Sequence, residues 1–165
     1  MTVKRTLASA TAFVLAFATI SAAQDAAKAP AAPAAKPMSR TPVVKPAADM
    51  KWTDLDPQRG PGVKIADVSG DHTKGAFSAF IRFPAGFSAP LHTHTNAMKL
   101  VVISGTLVQQ PEGAAEFRLG PGSYLFQPGG EYRHTTACDK ASDCVIFSEG
   151  IGKFDMNPVA AAAKK

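Results

Sequence analysis

Cysteine is scarce, with two in 165 residues. That excludes a disulfide-dense miniprotein and a zinc site built from four cysteines. Tryptophan and tyrosine are nearly absent too, at 1 and 2, so 10 phenylalanines are the large side chains left to fill a core. No apolar run reaches the roughly 20 residues that cross a bilayer. An excess of one charge is missing where it would matter. Residues 51–158 hold 10 Lys and Arg against 11 Asp and Glu, so the net +5 of the chain resides in its ends. Nucleic acid is therefore excluded as a partner, because phosphate binding needs a clustered basic face. What is present is 45% hydrophobic residues, 13 Gly and 13 Pro. The first is globular and fits neither a multi-span membrane protein nor a wholly disordered chain. The second means many turns, which suits an all-β domain.

Residues 1–23 read as a secretory signal peptide. Lys4 and Arg5 form the positive region, residues 7–20 an uncharged and mostly apolar run, and Ser21-Ala22-Ala23 the small cleavage residues. Cleavage leaves no stable membrane anchor and sends the chain to the periplasm or outside the cell. Residues 24–50 are largely Ala, Pro and Lys, with Pro30, Pro33, Pro37, Pro42 and Pro46 interrupting any helix. They are expected to form a disordered, solvated linker. Residues 159–165 are expected to be a disordered tail.

Between them, residues 51–158 read as short strands. Phe77, Ala79, Ile81 and Phe83 alternate with Ser78, Phe80 and Arg82, a period of two. Further strand candidates are 63–68, 100–103, 106–109, 116–119, 124–127, 134–137 and 144–148. Gly120-Pro121-Gly122 and Pro128-Gly129-Gly130 are turns. Short strands punctuated by Gly and Pro imply an all-β closed barrel or jelly roll.

His92 and His94 form a His-x-His pair. On a strand both side chains share a face, and two imidazoles then converge as metal ligation requires. The other reading is two surface histidines on a polar loop. Gly86, five residues, His92-Thr93-His94 and ten residues to Gly105 resemble the first motif of the cupin superfamily. Gly122, five residues, Pro128-Gly129-Gly130 and His134 resemble the second. Gly152-Lys153-Phe154-Asp155 resembles the close of a group of exported single-domain cupins. The resemblance implies one cupin-type jelly-roll barrel and a divalent metal (iron, zinc, manganese or nickel) held by His92, His94 and His134. Some cupins bind metal through three histidines alone. It also implies a homodimer, for which the sequence assigns no interface.

Two positions depart from the pattern. Where the family places a metal-binding Glu, this chain has Met98, a weak ligand for hard ions or a filler of the ligand's space. Where it places the last His, this chain has Arg133, and His134 follows one residue late. A slip of one residue turns a strand's side chains to the other face. Either Gly129-Gly130 absorbs the extra residue and His134 faces inward, which is the preferred reading, or Arg133 does. Glu131 could replace the carboxylate but reads as part of a solvated turn.

Arg82 is expected on the solvent face, although a guanidinium inside the barrel could bind a substrate carboxylate. Gln109 and Gln127 could line a pocket or face water. His72, in a turn composition, is expected to be exposed. Cys138 and Cys144 bracket residues 139–143, read as a hairpin loop, and in an oxidising compartment are expected to form a disulfide across it, preferred on loop spacing over a Cys–His metal site with His134. The expected function is metal binding and a dioxygenase-like or other metal-assisted reaction on a small organic ligand. No general base is identifiable. The alternative is a non-catalytic binding or sensing barrel with a degenerate metal site.

Overall fold

The computed structural model describes residues 41–58 and 60–159. The expected signal peptide, most of the expected linker and nearly all of the expected tail lie outside the described residues. The chain divides into two units at Thr41/Pro42, and every described strand belongs to the second. Residues 41–49 are exposed and include one 3-10 turn, Ala47–Asp49.

The described residues form two antiparallel sheets. Their strands are β1 (Thr53–Asp54), β2 (Lys64–Gly70), β3 (Phe77–Phe83), β4 (Ser88–Thr93), β5 (Met98–Ser104), β6 (Leu107–Pro111), β7 (Phe117–Leu119), β8 (Tyr124–Gln127), β9 (His134–Cys138), β10 (Cys144–Gly150) and β11 (Asn157–Pro158). One sheet has the order β1-β2-β3-β10-β5-β8, the other β11-β4-β9-β6-β7. This is the all-β jelly roll that the Gly and Pro punctuation implies.

Period two explains the core. In β3, Phe77, Ala79, Ile81 and Phe83 are buried, while Arg82 is exposed and the other residues are half-buried. β5 and β10 alternate in the same way, burying Met98, Leu100, Val102 and Ile146. These side chains meet Leu107 and Cys138 of the opposite sheet in one cluster. Burial of that apolar surface drives the packing of the two layers.

Two expectations need correction. Residues 139–143 do not close a hairpin, because β9 belongs to the five-stranded sheet and β10 to the six-stranded one. The loop turns a corner between sheets, and the expected Cys138–Cys144 disulfide, with Cα atoms 5.8 Å apart, joins the two layers. His72 is not exposed. Its side chain is 12% accessible, its Nδ1 lies 2.8 Å from Asp67 Oδ2, and its ring packs edge-on to Phe77. Arg82 keeps to the solvent face, with its guanidinium 4.6 Å from the centre of the Trp52 ring.

Candidate metal centre

β4 carries the histidine pair through an irregularity. Its pairing with β9 shifts register between Ala89 and His92. Strict alternation from buried Ala89 would turn residues 91 and 93 inward. Instead Pro90 occupies the shift, and His92 is the next buried residue of the strand. Proline cannot donate to a ladder, and bulges re-aim side chains. His94 follows just past the strand's end and is buried as well.

His134 opens β9 directly across from His92. The turn before it is fixed by a close approach. A Cβ on Gly129 would stand 2.6 Å from the Thr95 carbonyl oxygen, and Gly130 has φ +76°. Gly130 N donates to the His94 carbonyl at 2.8 Å. The turn absorbs the extra residue, so His134 is 0% exposed. Arg133 points to solvent and meets Glu112 at 3.3 Å, and Glu131 is exposed.

The three rings come together. His92 lies 4.9 Å from His94 and 4.3 Å from His134 between centroids, and His94 lies 5.3 Å from His134. One nitrogen from each lies within 4.8 Å of the others, a group able to hold a metal ion. Every Nδ1 faces a backbone carbonyl: His92 to Pro90 at 2.7 Å, His134 to Tyr132 at 3.3 Å, and His94 to Asp155. A carbonyl only accepts, so each Nδ1 carries the hydrogen and each Nε2 keeps its lone pair. Nε2 of His134 is buried with no hydrogen-bond partner. Orienting imidazoles through the second nitrogen is the usual support of a metal ligand. These residues fit a divalent ion.

Burial keeps the rings neutral. Desolvation lowers the His92 pKa, and lowers that of His94 to about 4. His134 falls to about 3, through desolvation first and then its two imidazole neighbours. Ligation needs neutral imidazole, and the fold supplies it.

A cavity of about 60 Å³ opens beside the triad, with Met98, Gln109, Phe154 and Met156 among its walls. Met98 is 5% exposed, opposite Gln127 in the β5–β8 ladder. Gln109 and Gln127 are both buried and bonded to each other. The segment after β10 also belongs to the site, which no local pattern in the sequence indicates. Phe154 lies 5.4 Å from His94, and Thr95 N donates to the Asp155 carboxylate at 2.8 Å. The one signal in that segment is the family resemblance of Gly152-Lys153-Phe154-Asp155. One other group among the described residues, Asp67, Asp71 and His72, has ligand-like spacing. There Lys74 Nζ already pairs with Asp71 at 2.7 Å.

Residues 42–165 match the family described as "Domain of unknown function (DUF4437)". No curated protein matches the chain. Among solved structures, the polyketide cyclase RemF from Streptomyces resistomycificus is similar at 16% identity and TM-score 0.57, over 76% of this chain and 87% of that one. An RmlC-like cupin from Shewanella frigidimarina is similar at 18% identity and TM-score 0.53, over 69% and 95%. KdgF from a Halomonas species is similar at 22% identity and TM-score 0.50, over 64% and 91%.

Proposed function

Because the chain belongs to the DUF4437 family and has the cupin fold, we propose that it binds one divalent metal ion through Nε2 of His92, His94 and His134 and acts on a small anionic organic molecule. The observation that carries this reading is the triad itself, three neutral imidazoles with each Nδ1 engaged by a carbonyl. Iron, zinc, manganese or nickel there would supply a Lewis acid or an oxygen site.

The chain's own residues set the rest. Three neutral imidazoles do not offset the charge of an ion, and neither does the Met98 thioether beside them. A ligand that brings negative charge is therefore favoured. The walls around it are largely apolar, and exclusion of water strengthens every electrostatic contact inside. The same fold serves a polyketide cyclase, which supports a barrel used for chemistry on organic substrates.

The reading includes export to the periplasm or beyond. Residues 1–23 support it, as does the disulfide, which persists in oxidising compartments. Among the described residues no helix is long and apolar enough to cross a membrane.

Met98 favours a second reading, a binding or sensing barrel without chemistry, because it fills the place where a charged ligand would stand. Elemental analysis separates the two. The mature chain, exported and purified without chelator, is measured beside His92→Ala/His94→Ala. Near-stoichiometric metal in the native chain, lost in the variant, is the expected result. Negligible metal in both, with no uptake on titration, sinks the metal reading in favour of the plain binding barrel.

A further inference from the structure

We propose that Gln109 is the side chain that grips the small ligand sharing the cavity with the metal, and that Gln127 holds it in position to do so. The inference rests on the metal reading above. Gln109 sits on β6 directly across from Thr136 of β9, two residues beyond His134. It lines the same cavity as His92 and His94. It is 1% exposed, and Gln127 is 3% exposed. Gln109 Nε2 donates to Gln127 Oε1 at 2.7 Å. That bond spans the interior, because β6 and β8 belong to different sheets.

After that bond two atoms remain. Gln109 Oε1 and Gln127 Nε2 are buried and have no hydrogen-bond partner. A half-paired buried amide costs stability. An aliphatic side chain would fill position 109 without that penalty, as Leu100, Leu107 and Ile146 do around the same cavity. A polar group fixed on an apolar wall, beside converging imidazoles, is how a small-molecule pocket orients its ligand.

The pair also defines the ligand class. Exchanging oxygen and nitrogen in both amides preserves the bond between them. It turns the remaining Gln109 atom from acceptor to donor. An anion selects the donor form. The cavity of about 60 Å³ is less than half the roughly 150 Å³ that takes up benzene, so the ligand has few heavy atoms. A small carboxylate or similar oxyanion meets both conditions.

Co(II) and formate are the probes that test this. The full mature chain is loaded with Co(II), and formate is titrated while the visible spectrum of the bound ion is followed. Gln109→Leu is expected to keep one Co(II) per chain and weaken formate binding by about tenfold or more, the loss for a hydrogen bond to a charged group. Gln127→Leu, which releases the amide without removing it, is expected to weaken it less. Gln109→Leu/Gln127→Leu buries no half-paired amide and replaces the single variant if that one does not fold. A purely structural Gln109 would shift the melting temperature and leave formate affinity unchanged. Unchanged affinity in the loaded variant overturns the proposal, as does a loaded native chain that ignores formate. A native chain that takes up no Co(II) overturns the metal reading and this inference with it.

Discussion

At His94 and His134 burial governs the proton. Their pKa values of about 4 and about 3 lie below the ordinary 6.5, chiefly because a charged ring would lose its hydration. The sign of the pH effect comes from linkage. Between 6.5 and these lowered values the unfolded chain binds protons that the folded, metal-free chain refuses. Stability is therefore fully present above about pH 6.5 and declines below it. The decline from these two groups ends only once pH falls through the lowered values. By pH 5.5 each ring is expected to remove about 1 kcal/mol. Above pH 5 most carboxylates stay ionised, so melting curves of the metal-free chain between pH 7.5 and 5 report the buried imidazoles together, His92 adding to the decline because burial lowers its pKa too. A midpoint that stays flat across that window contradicts burial as the cause.

At the scale of elements, two backbone irregularities decide where the imidazoles point. One is the register shift around Pro90 in β4, the other the turn from β8 into β9. Gly129→Ala tests the second. Its Cβ would fall 2.6 Å from the Thr95 carbonyl oxygen and 2.8 Å from the Ala97 nitrogen, backbone that cannot step aside cheaply. The expected cost is about 2 kcal/mol, in the range for overpacking. Metal affinity should fall as well, because the same turn ends at His134 and bonds to His94. Urea unfolding and a metal titration of the variant check both; native values in each would show that the turn does not position the site. These irregularities also mark what is legible in the sequence. Alternation in β3 gives its buried face residue by residue, short strands between Gly and Pro turns give an all-β barrel or jelly roll, and the family resemblance carried by the Gly, Pro and His motifs narrows it to the cupin type. Period two also places His92 and His94 on a common face. It cannot say which face, because that depends on a shift at Pro90 with no signature in composition. The extra residue before His134 leaves two readings, and only the tight seat of Gly129 against residues 95–97 selects one. Gln109 and Gln127 are undecidable for a related reason, since their bond joins residues 18 apart on different sheets. The Asp155 carbonyl on His94 Nδ1 comes from 61 residues away, beyond any local pattern.

For the molecule as a whole, the question is what holds one sheet on the other. Apolar burial does most of it, through a cluster drawn from both layers. The disulfide adds a covalent link between the end of β9 and the start of β10, with both sulfurs buried. Its spacing and the expected signal peptide make the pairing readable, but not that it spans the layers, because residues 139–143 look like any hairpin. The closed loop is short, with a sequence separation of 6, so the chain-entropy model gives it about 2 kcal/mol. Reduction should therefore lower unfolding stability by about that amount and no more. The three imidazoles are held by carbonyls and strand ladders rather than by sulfur, so metal stoichiometry should survive reduction. Urea unfolding with and without reductant, beside thiol counting and metal analysis, checks the set. Two free thiols in the untreated, unreduced chain would remove the link. Metal lost on reduction would mean instead that the corner between the sheets, four residues past His134, is what keeps that ring in place.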